Sequence, residues 1–571
     1  TTEIYTLSLH DALPIWPGSA LYGGNAMGGV INIVQKKPIE SLEGQITADY
    51  GTYQTRGLKG YLGGKSGKGF YWAASGLARA SEGYITQSYA DQMANPYIVK
   101  STFDEKVFSL RTGYSPSEKF SADVYFSYYD DRRETGEKVY QPSGNSTDHD
   151  TYSLRSTFSG ISGATQWNAA LYYIQERYKR VSEWFKDDYT WYDVLSKRSD
   201  FGLMTGLSRT WKTHTFSGGL DIRHGGVDAS DIYYTSTDQV DNRGKIVFYG
   251  FYLQDQFRFM DESMTLVAGL RYDYSTFYDG AFVIHHPSAE TRFMSTYQFS
   301  DEESISWGAI SPRLSLQYKP GDRFRVYTGY SRGFRPSVLD DLCRSGRVRG
   351  GFKVANPKLK PEYLDNLEAG MDYKPVVWAK ISASIYYSRG SDFLYYVSTG
   401  DSIDMGFGNR PVMVRSNISD VEIKGMEADF TLSPNSWWSF YGSYAFNISK
   451  ITGYNPEDAV VNVDLTGKYL TDVPRHSFTL GALLRSLWVD AGITGKFTGK
   501  MYINDQNIYD DIVLSDQYPA VFTLDLKFQR TFYNRYKASL TLQNLLDEKI
   551  YESKMAVGPG RFIVFELGIR I

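Results

Sequence analysis

The chain has 571 residues, of which 42% are hydrophobic and 16% aromatic, and it contains 53 glycines, 47 tyrosines and one cysteine. A formal net charge of −4 gives no global basic field for nucleic acid, and a single cysteine excludes a disulfide framework. No segment approaches the roughly 18 consecutive apolar residues of a membrane-spanning helix, which excludes a helical inner-membrane transporter.

Alternating polarity recurs along almost the whole chain. In residues 120–128 (FSADVYFSY) and 323–330 (RFRVYTGY) apolar or aromatic side chains occupy every second position, which is typical of a strand with one apolar face. Many of these segments reach ten residues, close to the nine to eleven or so of a tilted membrane-spanning strand. Strand and hairpin signals give roughly 22 such segments after residue 43.

The connections between these segments are alternately short and long. Short ones lie near residues 115–119, 260–262 and 531–534, and long ones near 225–243, 276–304 and 333–361. Membrane β-barrels combine short periplasmic turns with long outer loops, and a sheet in hydrocarbon must close on itself to satisfy its backbone. The sequence therefore predicts an all-β fold, a transmembrane antiparallel β-barrel of about 22 strands.

Residues 17–38 (PGSALYGGNAMGGVINIVQKKP) interrupt the alternation. They contain no phosphate-binding glycine motif, and the simplest interpretation is a glycine turn that leads into a short buried strand. The segment closely resembles the end of the plug domain of TonB-dependent outer-membrane receptors. The positions that carry this resemblance are Gly23, Gly24, Asn25, Gly28, Gly29 and Asn32.

An ordered series of further motifs resembles the same family over residues 17–571. It includes residues 252–258 (YLQDQFR), 266–273 (LVAGLRYD), 329–336 (GYSRGFRP), 356–362 (NPKLKPE) and 542–547 (LQNLLD). The resemblance implies a receptor of the Gram-negative outer membrane that binds a scarce nutrient without a catalytic step or a permanent cofactor. It also implies a partnership with TonB and its inner-membrane motor complex, with outer-membrane lipid and lipopolysaccharide around the barrel.

The chain departs from the family pattern at its beginning and its end. We expect residues 39–571 to form the barrel and residues 17–38 to be the C-terminal remnant of a plug whose larger part, with the TonB-binding box, is missing. Residues 1–16 have neither a basic region nor a cleavage site, and we interpret them as foreign or misassembled. The chain ends in Ile571, where the family usually has an aromatic residue.

The family's usual cargo is a ferric siderophore, and otherwise haem, cobalamin or glycans. A cluster of basic residues beside an aromatic ring in the loop after Pro336 is suited to attract an anionic ferric chelate and to stack on its rings. The alternative is a solvated or lipopolysaccharide-contacting loop. The candidate ligand-binding residues are Arg344, Arg347, Arg349, Phe352 and Lys353, together with Arg132 and Arg133 of an earlier loop.

His285 and His286 are weak candidates for metal or haem ligation, because adjacent histidines in a loop are more often ordinary surface residues. Residues 337–360 contain no histidine, which favours a siderophore over haem. Cys343 has no cysteine partner in the chain, so it is either a buried apolar residue or a free thiol. Two other classes stay open: a barrel enzyme, although the seven histidines are scattered, and a passive pore.

Overall fold

The computed structural model describes most of the chain. The described residues are 19–24, 26–30, 36–87, 89–185, 188–289, 291–300, 304–348, 351–404, 409–454, 464–509, 515–551 and 556–571. Residues 1–18 lie outside them, so the prediction for residues 1–16 stays a prediction.

Strands dominate these residues. In chain order they are β1 Glu43–Gly51, β2 Thr55–Lys65, β3 Phe70–Tyr84, β4 Ser101–Ser117, β5 Phe120–Glu134, β6 Ser146–Ser162, β7 Thr165–Phe185, β8 Tyr189–Trp211, β9 His214–Tyr233, β10 Gln239–Phe259, β11 Met264–His285, β12 Phe299–Ser300, β13 Ile305–Gly321, β14 Phe324–Arg335, β15 Gly346–Val348, β16 Gly351–Val354, β17 Glu362–Val376, β18 Ala379–Asp404, β19 Asn409–Leu432, β20 Trp438–Tyr454, β21 His476–Leu484, β22 Asp490–Thr498, β23 Met501–Tyr502, β24 Gln517–Tyr518, β25 Val521–Phe532, β26 Tyr536–Gln543 and β27 Phe562–Arg570.

Helices are few and short. They are α1 Ser19–Tyr22, α2 Tyr89–Ala94 and α3 Leu339–Leu342, with 3-10 turns at Thr52–Gln54 and Arg292–Tyr297. Within the described part of the chain, no helix has both the length and the apolar character needed to cross a membrane.

The strands other than β12, β15, β16, β23 and β24 form one closed antiparallel barrel of 22 strands. The first strand closes it by pairing with both β2 and the last strand, β27; Gln45 lies opposite Arg570 and Gly51 opposite Val564. Each barrel strand therefore has two neighbours, which satisfy its backbone groups without water. The predicted fold is confirmed.

The two faces of the wall differ in polarity as the alternation predicts. On β13, Ile310 and Leu314 are 54% and 51% exposed, whereas Ser311 and Arg313 beside them are buried. Since successive side chains of a strand point to opposite faces, the apolar set faces lipid and the polar set faces the barrel interior. We call these the outer face and the lumen face.

The barrel strands continue well beyond the membrane on one side. β18 has 26 residues and β19 has 24, against about nine to eleven needed to cross a membrane. The predicted long loops at 225–243 and 276–304 are therefore wrong in extent, because β9 continues to Tyr233, β10 begins at Gln239 and β11 continues to His285. Hairpin pairing above the membrane satisfies backbone groups that a free loop would leave to water.

We expect Leu314→Arg to lower the free energy of unfolding by about 2–4 kcal/mol, because it places a charge in the lipid-facing belt. The control is Ser315→Arg, on the lumen face of the same strand, where a polar side chain is tolerated and we expect little change. Urea unfolding of the protein folded into phosphatidylcholine vesicles, followed by tryptophan fluorescence, measures both. Equal losses in the two variants would contradict the assignment of the faces.

Candidate functional site

A buried ion network lies on the lumen face of β9, β10 and β11. Arg271 is 2% exposed and donates from Nε and Nη2 to the two carboxylate oxygens of Asp273, at 2.8 Å each. Its Nη1 lies 2.7 Å from Oδ2 of Asp221. Gly250 of β10 is opposite both Asp221 and Asp273 in register, and a Cβ there would collide with the guanidinium. The glycine therefore makes room for Arg271 to bridge two strands.

The N-terminal segment, residues 19–24, packs against this network. Arg271 donates to the carbonyl oxygen of Leu21 at 3.4 Å, and Arg223 donates to that of Tyr22 at 3.0 Å. On β14 the backbone N–H of Phe334 donates to Oγ of Ser19 at 3.2 Å. The last carbonyls of α1, which have no partner within a short helix, are thus satisfied by arginines of the barrel wall.

Glycines permit this close approach. Gly23 has a φ of +74°, and a Cβ on it would lie 2.7 Å from Nη2 of Arg271. A Cβ on Gly24 would lie 2.7 Å from Cδ of Pro336. Among the described residues, no atom lies within 4 Å of a Cβ on Gly28 or Gly29. The other two predicted positions of this motif, Asn25 and Asn32, lie outside the described residues.

The loop between β14 and β17 folds back onto the barrel. Its strand β16 pairs in parallel with β19, with Phe352 opposite Val412. Phe352 has no exposed surface and meets the ring of Phe293 edge-on, with 5.0 Å between centroids. Cys343 is also completely buried, beside Phe277, and burial raises the pKa of its thiol to about 12. In this structure the Phe352 ring is enclosed by protein and offers no face for stacking on a ligand.

Lys353 fastens the same loop. Its Nζ lies 2.7 Å from Oδ2 of Asp340 and 3.3 Å from Oδ1 of Asp341, and Arg415 of β19 lies 2.8 Å from the other oxygen of Asp341. Burial alone would raise the pKa of Asp340, but Lys353 and Arg344 beside it hold this pKa below the usual range. Ionised Asp340 therefore stabilises the loop at pH values above the ordinary pKa of an aspartate. This stabilisation is lost as the pH falls through the lowered pKa of Asp340.

Arg344 retains a partly exposed side chain and pairs with Asp340, with 3.3 Å between Nη1 and Oδ1. Arg347 contributes its backbone to β15, but its side chain, like the whole of Arg349, lies outside what the structure describes. Contact of these three arginines with a ligand stays a prediction.

Arg132 and Arg133 point to opposite faces of β5. Arg133 faces the lumen, where it pairs with Asp131 at 2.7 Å and with Glu105 at 3.1 Å. Arg132 faces outward and pairs with Asp148 at 2.6 Å. Because adjacent residues of a strand point to opposite faces, only Arg133 of the two faces the lumen, and contact of these arginines with a ligand stays a prediction.

The two histidines have no metal-binding surroundings in the described chain. His285 Nε2 lies 2.9 Å from Oδ2 of Asp241, and the carbonyl of His286 accepts a hydrogen bond from Thr237. Among the described residues, no group of three or more histidine, cysteine or acidic side chains is arranged to hold a metal ion. Ligation by His285 and His286 stays a prediction.

Sequence reasoning missed the network around Arg271. Its signal is the spacing of Arg271 and Asp273, which puts opposite charges on the same face of one strand. Asp221 lies some 50 positions before Arg271 in the chain and reaches it only through the pairing of β9, β10 and β11. It can therefore be identified only when the register of these strands is known.

A closed 22-strand barrel with an apolar outer face, a polar lumen face and a segment held against the lumen defines an outer-membrane β-barrel protein. The family model described as "TonB dependent receptor-like, beta-barrel" matches residues 41–545. Since this match covers most of the chain, the chain belongs to that family.

Two curated relatives are similar to parts of it. A hemin receptor of Yersinia enterocolitica is 24% identical over 250 residues, which are 40% of this chain and 33% of that protein. The iron-regulated outer membrane virulence protein of Vibrio cholerae is 22% identical over 478 residues, 81% of this chain and 64% of that protein. The matched regions thus span between one third and two thirds of these relatives.

Solved structures share the fold over nearly the whole chain. The ferric yersiniabactin uptake receptor FyuA from Yersinia pestis has a TM-score of 0.76 and 16% identity, and the match covers 97% of this chain and 84% of FyuA. The siderophore receptor PiuA from Acinetobacter baumannii has a TM-score of 0.77 and 13% identity, with 97% and 85% covered. The copper transporter OprC has a TM-score of 0.76 and 15% identity, with 97% and 87% covered.

We expect Gly23→Ala to release the N-terminal segment from the barrel wall. An alanine here would be strained by the left-handed φ, and its Cβ would collide with the guanidinium of Arg271. The strain of an alanine in this conformation is about 1–2 kcal/mol. Hydrogen exchange of the backbone amides of residues 19–24 measures the release, and we expect it to be several-fold faster. Gly28→Ala, whose Cβ would meet no atom of the described residues within 4 Å, should leave the exchange unchanged. Faster exchange in both variants would contradict the docking of residues 19–24 on the barrel wall.

We expect Arg271→Met to lower the free energy of unfolding by about 3–5 kcal/mol, because Asp221 and Asp273 lose the cation that compensates their burial. Exchange in residues 19–24 should also rise. The control is Arg325→Met, which removes a half-buried pair with Asp372 that does not touch the segment. If both variants speed exchange in residues 19–24 equally, Arg271 has no special role there.

Proposed function

We propose that the protein is an outer-membrane receptor that imports a ferric siderophore with energy supplied through TonB. The observation that carries this proposal is the family membership over residues 41–545, on a closed barrel whose wall binds an N-terminal segment. The printed names of the relatives, a hemin receptor and an iron-regulated protein, support an iron-containing cargo.

In this proposal the cargo binds without covalent chemistry. An iron chelate that carries negative charge is attracted by arginines on the lumen face above the membrane. Arg133 is one of these, and Arg198 is another, with 3.6 Å between its Nη1 and Oε1 of Glu176. Their partly exposed side chains keep donors available in a narrow polar interior, where charge acts more strongly than in bulk water. Arg344, Arg347 and Arg349 of the loop after β14 are proposed to complete this surface.

We further propose that residues 19–24 are the end of the plug that TonB moves. Displacing them breaks the hydrogen bonds from Arg271 and Arg223 to two backbone carbonyls. Asp221 and Asp273 keep Arg271 in position meanwhile, so the wall is ready to bind the segment again. A site that holds the segment by a few hydrogen bonds, each contributing about 0.5–1.5 kcal/mol, suits a contact that must open and close.

Haem is the second candidate, favoured by the hemin receptor of Yersinia enterocolitica among the relatives. The absence of histidine from residues 337–360 places it behind the siderophore. Cobalamin, a passive pore and a barrel enzyme have no specific observation in their favour.

We expect the protein to bind one ferric chelate saturably when it is titrated with a ferric catecholate, a ferric hydroxamate, haem and cobalamin, with intrinsic fluorescence as the readout. The triple variant Arg344→Ala, Arg347→Ala, Arg349→Ala should bind at least about tenfold more weakly, a loss of about 1.4 kcal/mol. Arg133→Ala should weaken binding in the same direction.

The matched control is Arg132→Ala, which removes the neighbouring charge from the outer face and should leave chelate affinity unchanged. If only haem binds, haem rather than a ferric siderophore is the cargo. Failure of all four compounds to bind would refute the proposed function and leave the fold as it stands.

A further inference from the structure

Four charged residues lie side by side on the outer face of strands β5 to β8. In strand order and in register they are Asp130, Asp150, Arg177 and Lys197. They share this face with Arg132, which lies two residues from Asp130 on β5. The two strands on one side of the row thus carry acids, and the two strands on the other side carry bases.

Neither half of this row is neutralised within the chain. Asp130 lies directly opposite Asp150, and Arg177 lies directly opposite Lys197. Like charges in such positions repel each other. In the part of the chain that the structure describes, none of the four residues forms an ion pair. One copy of the protein therefore leaves two repulsive contacts uncompensated on this face.

The charged residues of the next row upward do have partners. The pairs are Arg132 with Asp148, at 2.6 Å, and Lys179 with Asp193, at 2.9 Å. Among the described residues of these two rows on β5 to β8, the charge left unpaired is therefore two acids followed by two bases.

The row lies just outside the hydrocarbon. Phe108, Tyr128 and Tyr152 are aligned two residues below it, which is about 7 Å along a strand, and aromatic rows mark the membrane boundary. The four charged residues border a recess of about 940 Å³ in the wall, so the wall does not bulge here. A flat neighbouring surface can therefore approach all four strands at once.

Symmetry decides which surface matches this one. Two copies in one membrane have the same orientation, so a two-fold axis that relates them must be parallel to the membrane normal. An axis that passes between β6 and β7 places β5 and β6 of each protomer against β7 and β8 of the other. The tilt of the strands shifts the height of individual contacts, but it does not change which halves meet.

We propose that this face binds a second copy of the chain and forms a two-fold symmetric dimer in the outer membrane. The acidic half of each protomer then meets the basic half of its partner, so the repulsion within each half is offset twice. The order of charges continues to match at the edges, where Lys106 on β4 and Asp228 on β9 are again opposite in sign. A partner of a single charge would be attracted by one half and repelled by the other.

Apolar side chains on the same strands extend the contact below the charged row. Leu154 of β6, Leu171 of β7 and Phe201 of β8 are 45%, 39% and 46% exposed on the outer face. In the dimer they pack against the partner instead of lipid, which exchanges one apolar neighbour for another. The charges above the membrane therefore decide which faces associate, and the apolar rows permit it.

Single-molecule photobleaching of the whole chain in phosphatidylcholine vesicles tests this inference. One dye is attached to Ser162→Cys in the exposed turn between β6 and β7; Cys343 is completely buried and does not react. With vesicles in large excess over chains, we expect spots with two bleaching steps for the unmodified face. A single step at every protein density would overturn the proposal.

Charge reversal tests the two halves separately. Asp130→Lys with Asp150→Lys makes the whole row basic, and Arg177→Glu with Lys197→Glu makes it acidic. Each double variant should associate with itself at least about tenfold more weakly, because like charges now face each other across the axis. If both variants dimerise as readily as the unmodified chain, the row does not form the interface and the proposal is overturned.

The two double variants should rescue each other. Labelled with different dyes and mixed, the all-basic and all-acidic variants should colocalise, because each half again meets its opposite. The variant with all four reversals should dimerise with itself for the same reason. Misfolded chains would give neither result, so failure of both rescues in chains that keep the heat-dependent gel mobility of a folded barrel would overturn the proposal.

The matched control reverses charge elsewhere on the outer face. Arg389→Glu with Lys424→Glu replaces two exposed bases that already pair with Asp420 and Glu422, and this variant should dimerise like the unmodified chain. Loss of the dimer in this control would mean a general effect of charge and would overturn the proposal.

The outcome for the acids separates a dimer from association through a bound anion. The vesicles contain no anionic lipid or glycolipid, and an anion bridging two copies would need the bases only. If reversal of Arg177 and Lys197 abolishes the dimer whereas reversal of Asp130 and Asp150 preserves it, direct pairing between protomers is overturned. None of these measurements involves a ferric chelate, so they are independent of the proposed transport function.

Discussion

Backbone hydrogen bonding across a medium without water is the constraint on which this structure depends. Hydrocarbon offers no partner to a peptide group, so the strands must pair on both sides and the sheet must have no edge. The pairing of Glu43–Gly51 with Phe562–Arg570 meets this requirement by joining strands from the two ends of the barrel sequence. The alternation of apolar and polar side chains, the low mean hydropathy and the polar lumen all follow from a wall with lipid on one side only.

The charged residues inside the barrel form ion pairs that hold segments of the protein in place. Arg271 between Asp221 and Asp273 leaves donors for the N-terminal segment because its own position is fixed by two carboxylates. Lys353 between Asp340 and Asp341 fixes the loop after β14 in a similar way. A buried charge without such partners would be strongly unfavourable, so a basic residue in a loop sequence is as consistent with an anchor as with a binding site. Phe352 shows the same for an aromatic residue, since the core that surrounds it includes Val412 from a strand about 60 positions away.

The outer face and the lumen face of the barrel wall have different surroundings. The exposed apolar side chains of the outer face, such as Ile310 and Leu314, face lipid, whereas the lumen face carries polar and charged side chains. Arg132 and Arg133, adjacent in sequence, belong to these two separate environments, with Asp148 as the partner of one and Asp131 as the partner of the other. Charged residues that alternate along one strand therefore face opposite sides of the wall, and only those on the lumen face can meet a ligand inside the barrel.

The sequence by itself determined the β-barrel, its number of strands and the two faces of each strand, because period-two alternation is a local property set by the pleat of a single strand. It also indicated the family, because the family's motifs occur in order along the sequence. Only the tertiary structure decided which charges meet. The bridge from Arg271 to Asp221 across Gly250 and the burial of Phe352 and Lys353 against β19 depend on register between strands. Register is fixed by pairing between segments distant in sequence, and a shift of one residue would exchange the two faces.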